Sequence, residues 1–310
     1  MFRAAFAFSF EGFLRSHAMR ILCGEALSSK VADSLAKLPR DKVKELLGLV
    51  RFKEAEMGLT LQAYVELSIR FRCCGIACLK AFWLLQFEAR KTLFPSYPVF
   101  HKWFARIEKL LDHLMGLSLC PLGQRLGFVD SMKLPIGFEG RFIKSMGKAA
   151  GVGHSSTGKF YGIKLHALIR DDGLLCARAV TSASVHDLTP IKDGLLKGHR
   201  GRVYGDRGYV GQDVRFALMN DGIDFWARPK ENMGHATDWS FEYVREFEAR
   251  HAKQYRKRMG IERFFARLKR GFGLSVLGLR SRRMAGAYVA AAILTSQWLA
   301  LGELKVTRVV

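Results

Sequence analysis

Phe160-Tyr-Gly-Ile-Lys-Leu-His-Ala-Leu-Ile-Arg170, then Asp171-Asp-Gly173, then Leu174-Leu-Cys-Ala-Arg-Ala-Val-Thr181 is the stretch on which the fold turns. The first run alternates with a period of two, the Asp-Gly step favours a tight turn, and the second run returns as a strand, so the stretch predicts a β-hairpin. Upstream, Leu126-Gly-Phe-Val-Asp130 reads as a short buried strand, followed by a Gly/Ser/Lys-rich loop from Gly147 to Lys159. Downstream come a short helix over Asp187–Lys197, a strand over Arg202–Gly205 ending at Asp206, a helix over Gln212–Asn220 and a strand over Ile223–Ala227. Residues 229–250 read as a polar, irregular insert, and Tyr255–Arg270 as a strongly basic helix. This order predicts a mixed α/β sheet with helices on its faces.

The first 120 residues have a different texture. Apolar residues recur at three- and four-residue spacing in Val31–Leu47 and Phe104–Leu117, which predicts a helical region, with Asp41 as a helix N-cap. The expected division is therefore a helical region over 1–120 and a sheet domain over 121–310. Met284–Leu301 is the longest apolar stretch, but Thr295, Ser296 and Gln297 interrupt it, which favours a buried helix over a membrane span. The N-terminal segment lacks the cationic, apolar, cleavage-site order of a secretory signal and is expected to be a helix or an extension. The six cysteines form no C-x-x-C pair and read as buried free thiols in a reducing compartment.

Charge sets the partner class. The formal net charge is +22, an excess that calls for a polyanion such as nucleic acid. The first 120 residues carry 18 basic against 11 acidic residues and are only mildly basic. From His251 to Arg283, 11 Lys/Arg stand against one acid, so nearly half the excess lies in about a tenth of the chain. That concentration predicts a salt-sensitive phosphate-binding surface.

The one acid there is Glu262. Two further acids stand out: Asp130 in the first strand, and Asp206 at the C-terminal end of a later one, where open α/β sheets bind ligands. A single strand-end aspartate is ordinarily a cap or turn residue, and an acid in a basic helix can simply pair at i,i+4. Together the three suit another task. Phosphodiester cleavage is served by two divalent ions about 4 Å apart, which activate the nucleophile and stabilise the leaving oxygen, and carboxylates are their hard ligands. Tyr255, Arg258, Glu262 and Lys269 are spaced to fall near one face of a helix.

Asp130-Ser131, Tyr204-Gly-Asp206-Arg-Gly-Tyr209 and Tyr255-x-x-Arg258-x-x-x-Glu262-x-x-x-x-x-x-Lys269 resemble the DDE transposases of bacterial insertion sequences. The last is similar to the Y-R-E-K signature of the cut-and-paste branch. Phe160-Tyr-Gly-Ile-Lys-Leu-His166, Ser184-Val-His-Asp187 and Ile261-Glu-Arg-Phe-Phe-Ala-Arg-Leu-Lys269 resemble the nine-eighty-two family of insertion sequences. The resemblance runs from about Leu126 to Leu301. It implies an RNase H-like fold, with Asp130, Asp206 and Glu262 as catalytic metal ligands for two Mg²⁺ ions, Mn²⁺ being the expected substitute. It implies nicking at element ends and strand transfer through a 3′-hydroxyl, with Tyr255, Arg258 and Lys269 on terminal phosphates. Arg263, Arg267, Arg270, Lys148 and Lys159 are further expected DNA contacts. A homodimer on double-stranded DNA, in the bacterial cytoplasm and at the nucleoid, completes the implication. Arg263 departs from the small hydroxyl residue more usual after the glutamate.

Other motifs compete poorly. Gly153-His-Ser-Ser-Thr-Gly158-Lys159 approaches a P-loop but is followed by Phe160, without the metal-binding hydroxyl or the helix that phosphate binding needs, so no nucleotide is expected. Ser184, His186 and Asp187 are triad residue types, but adjacent residues do not readily build a nucleophile–base line, and a turn with a helix cap is expected. Trp226 and Trp239 are read as packing residues rather than base-stacking platforms. A non-catalytic DNA-binding regulator and an RNase H-like nuclease remain the alternative readings.

Overall fold

The computed structural model describes residues 20–22, 24–47, 59–73, 79–90, 94–123, 125–137, 140–155, 158–235, 237–277, 281–304 and 306–308. The chain divides into two compact units. One comprises Leu119–Arg267 with Ser275–Arg282; the other comprises Met1–Ser118, Leu268–Leu274 and Arg283–Val310. The sequence division near residue 120 is thus not the one that contacts draw at the C-terminal end, because the last helix groups with the N-terminal ones.

The first unit is built on a six-stranded sheet: β1 (Gly127–Pro135), β2 (Gly151–Ser155), β3 (Gly158–Arg170), β4 (Leu175–Ser182), β5 (Gly201–Gly205) and β6 (Ile223–Ala227). β3 runs antiparallel to β1 from Gly127↔Arg170 to Pro135↔Gly162, and β4 pairs with its other edge across the Asp171-Asp172-Gly173 turn. β5 lies parallel to β1 with Phe128↔Tyr204 in register, and β6 lies parallel to β5 with Tyr204↔Trp226 in register. At Gly162 a Cβ would lie 2.2 Å from the Leu134 carbonyl oxygen, so only glycine lets β3 approach β1 there.

Side chains alternate across the pleat and give the sheet two unlike faces. Val129, Leu168, Val203 and Phe225 enter an apolar cluster closed by Ile191, Leu196, Val214 and Leu218, which come from the Leu188–Lys192 and Gln212–Asn220 helices and the turn between. Phe128, Tyr204 and Trp226 form a row on the opposite face and are buried. Full burial of a side chain such as Phe128 contributes about 1.5–3 kcal/mol.

Several sequence expectations need correcting. The first strand does not stop at Asp130, because its pairing with β3 carries it on to Pro135. Much of the expected Gly147–Lys159 loop is the β2–β3 hairpin, which places Lys159 on a strand opposite His154. The 229–250 insert is ordered: Thr237 and Ser240 form a reciprocal capping box that starts a helix over Asp238–Glu246, and a π-helical turn follows over Phe247–His251. The basic helix is not uniform. It runs as Ala252–Tyr255, a 3₁₀ turn over Arg256–Arg258, and Met259–Gly271.

In the helical unit, the expected Val31–Leu47 helix is two helices, Gly24–Ala36 and Arg40–Leu46, separated at Pro39. Pro39 occupies the N-cap position and Asp41 lies in the first turn. Phe104–Leu117 divides at Ile107 between Tyr97–Arg106 and Glu108–Leu117. The Arg282–Ala300 helix packs Tyr288 edge-on against Phe71 and Phe104, with the Arg72 guanidinium 4.1 Å from the Tyr288 ring centre. Its polar interruptions are used: Gln297 donates to the Ser118 carbonyl and Trp298 to the Ser118 hydroxyl. Among the described residues no helix is long and apolar enough to cross a membrane. Cys120 and Cys176 are buried, and burial pushes the Cys176 thiol up to about 12. Cys23, Cys74, Cys78 and the first 19 residues lie outside the described residues.

Candidate active site

Register brings the first two carboxylates together. Phe128 and Tyr204 are partners in the parallel β1–β5 pairing, so Asp130 and Asp206, two residues further along, emerge on the same face at the same level. Asp130 stands within β1, whereas Asp206 follows the last residue of β5 in extended backbone. The turn bearing Asp206 is pinned from below by Tyr209, whose N–H donates to the Asp206 carbonyl at 2.9 Å and whose ring is 1% exposed.

The segment from Tyr243 to Arg258 covers this face through aromatic contacts. Tyr204 meets Tyr255 edge-on at 6.2 Å, and Trp226 stacks on His251 at 4.0 Å and on Tyr243 at 5.0 Å. The Tyr204 hydroxyl donates to Gln254 Oε1 at 3.0 Å and lies 3.0 Å from His251 Nδ1. The π turn ending at His251 and the 3₁₀ turn ending at Arg258 change the winding of the segment just before the site.

The three carboxylates converge on one guanidinium. Arg258 Nη2 donates to Asp130 Oδ2 and lies 3.8 Å from Asp206 Oδ2, while Nη1 donates to Glu262 Oε1 at 3.1 Å. The Asp130 and Arg258 side chains are nearly buried, at 15% and 14% exposure, and Glu262 is open to solvent. Burial pushes Asp130 up to about 6, against the pull of Arg258 and of the Ser131 N–H, and Asp206 adds to the push. Burial works against the Arg258 charge as well, but Asp130, Tyr255, Asp206 and Glu262 outweigh it and hold the guanidinium above its ordinary value.

Beneath the site, His166 faces Ser131 across the β1–β3 pairing. Its Nε2 lies 2.9 Å from the Thr181 hydroxyl and its Nδ1 3.4 Å from the Tyr209 hydroxyl. Burial lowers its pKa to about 4. Asp187 pairs with Lys164 at 2.8 Å, and His186 Nδ1 accepts from the Leu188 N–H, so the Ser184–Asp187 segment acts as a turn.

The cationic candidates are dispersed. Lys148, Lys159, Arg263 and Arg270 are exposed, and Arg267 is half-buried beside Phe264, with desolvation lowering its pKa. Lys269 and Arg270 belong to the helical unit. Trp226 is 2% exposed and is a packing residue. Sequence reading singled out the carboxylates but missed the Tyr204–His251–Gln254 network and the support from Tyr209 and His166. Tyr204 and Tyr209 flank Asp206 in its motif, and that flanking was the available signal.

Three hard carboxylate donors drawn onto one cation are a donor set suited to a divalent metal. Among the described residues, no group of three or more His, Cys, Asp or Glu is spaced to hold a metal as it stands, and the guanidinium lies between the acids.

A mixed sheet flanked by helices, with one aspartate on a strand, a second just past the end of the adjacent parallel strand and a glutamate from a following helix, defines an RNase H-like α/β domain with an acidic centre. The chain belongs to the transposase DDE domain family, which matches residues 121–298. The family implies polynucleotidyl transfer on DNA, and its domains generally use divalent metals. No curated protein and no solved structure matches the chain.

Proposed function

We propose that the protein is an insertion-sequence transposase of the Y-R-E-K branch, similar to the nine-eighty-two family. It cuts element ends and joins them to target DNA. Asp130, Asp206 and Glu262 would hold two Mg²⁺ ions, with Mn²⁺ able to replace them. When bound, the ions supply an activated oxygen nucleophile and a stabilised leaving oxygen. The chain's own residues hold the acids in place: the β1–β5 register levels Asp130 with Asp206, and the aromatic row seats the segment bearing Glu262. Tyr255, Arg258 and Lys269 would contact terminal phosphates, and Arg263, Arg267, Arg270, Lys148 and Lys159 would contact the wider DNA backbone. Synapsis of two ends asks for a homodimer.

The observation that carries this reading is the meeting of three sequence-distant carboxylates on one guanidinium. The test is cleavage and strand transfer with the inverted repeats flanking the coding region, with and without Mg²⁺. Asp206→Asn is expected to abolish both steps while DNA binding persists. Normal cleavage by that variant would refute the assignment, and cutting without joining would point to a nuclease.

A further inference from the structure

We infer that Arg258 is an exchangeable counter-ion of the acidic centre: its guanidinium and divalent cations compete for the same three carboxylates, so metal loading and guanidinium release are one coupled event. The inference rests on the metal-ligand assignment proposed above, and it gives Arg258 a role before any phosphate contact.

One side chain touches all three acids, two through Nη2 and one through Nη1. The guanidinium stands between the carboxylates, where a shared cation would stand, and takes up Asp130 Oδ2 and Glu262 Oε1 directly. Charge balance points the same way. Three carboxylates, two divalent cations and one phosphodiester sum to zero, and a retained guanidinium adds an uncompensated positive charge close to a nearly buried aspartate. The clamp is also incomplete: Arg258 Nε is buried and has no hydrogen-bond partner among the described residues.

The local backbone suits exchange. Arg258 closes a three-residue 3₁₀ turn whose other two residues, Arg256 and Lys257, are exposed, and the Tyr255 ring centre lies 5.9 Å from its guanidinium carbon. Released from the acids, the side chain has the Tyr255 ring beside it, and a DNA phosphate could take it up bidentately. A permanent salt-bridge linchpin would behave differently, because its removal would scatter the carboxylates and weaken metal binding.

The test is Mn²⁺ binding by the full-length protein without DNA, read from the free Mn²⁺ resonance in electron paramagnetic spectra. Arg258→Ala is expected to bind Mn²⁺ roughly tenfold more tightly, since a like charge is removed from the ligand set, with Arg258→Lys, which keeps the charge but loses the fork that reaches several oxygens, intermediate. Unchanged or weaker binding by Arg258→Ala, with wild-type circular dichroism and thermal midpoint, would overturn the inference. Should Arg258→Ala fail to fold, arginine side-chain NMR of the wild type decides. The Arg258 guanidinium signal, assigned through Arg258→Lys, is expected to shift on saturation with Mg²⁺, and an unmoved signal would overturn the exchange. Asp206→Asn separates the two levels. If it retains wild-type Mn²⁺ affinity, the ligand assignment and the exchange both fall. If it loses affinity while Arg258→Ala gains none, only the exchange falls.

Discussion

The two faces of the sheet come from the same strands and do opposite work. On one, Val129, Leu168, Val203 and Phe225 meet aliphatic helix residues in a dry cluster. On the other, Phe128, Tyr204 and Trp226 meet rings with polar tips, and Tyr204 and Trp226 carry hydrogen bonds to Gln254 and Asp224. The aliphatic face makes undirected contacts that tolerate small shifts. The aromatic face fixes orientation through ring geometry and hydrogen bonds. The acids emerge from the second face, so the face that specifies direction carries the proposed chemistry.

Substitutions on the two faces should therefore separate activity from stability. The largest effect is expected from Asp130→Asn, with DNA cleavage falling by about 10³-fold or more, as loss of a proposed metal ligand would remove several kcal/mol of transition-state stabilisation. Circular dichroism should remain that of the wild type, and near-normal cleavage would break the comparison. Leu168→Ala, on the dry face, is expected to cost about 2–5 kcal/mol in urea unfolding while cleavage per folded molecule is retained. A large loss of activity in that variant would show that the faces are not separable.

A third experiment concerns pH. His166 is neutral in the fold with its pKa lowered to about 4, below the ordinary 6.5, so the folded protein binds fewer protons than the unfolded chain in between. Its stabilising contribution is present above about 6.5 and is lost as pH falls through 6.5 toward 4. The loss approaches about 3 kcal/mol at the acid end of that window. The difference in urea stability between wild type and His166→Asn should change with that sign between pH 7 and pH 4.5; a pH-independent difference would exclude it. The smallest effect is expected from Tyr204→Phe, which removes one hydroxyl hydrogen-bonded to Gln254. About 1 kcal/mol of stability should be lost, with a modest fall in cleavage at unchanged DNA affinity. An unaltered cleavage rate would detach the network from the positioning of the segment that carries Glu262.

Legibility in the sequence followed the range of the forces. Gln212–Asn220 and Ile223–Ala227 have the bounds that pattern and turn residues predict, because periodicity and the Asp221-Gly222 turn are local signals. Pro39 divides a helix that periodicity joins, and the Thr237–Ser240 capping box orders an insert whose polarity reads as irregular. The hairpin of Gly151–Ser155 was hidden because a Gly/Ser-rich run becomes a strand when β3 supplies an edge.

The sequence by itself determined the alternation of the strands, the glycine turns, the crowding of cations near the C-terminal helices and the choice of the three acids as candidates, since each is read from neighbours along the chain. Only the tertiary structure decided that Phe128 lies level with Tyr204, that Arg258 reaches Asp130 as well as Glu262, and that the last helix groups with the first ones. These depend on contacts between residues tens to more than a hundred positions apart. Such contacts are selected by the burial and pairing of whole surfaces, which no local pattern encodes.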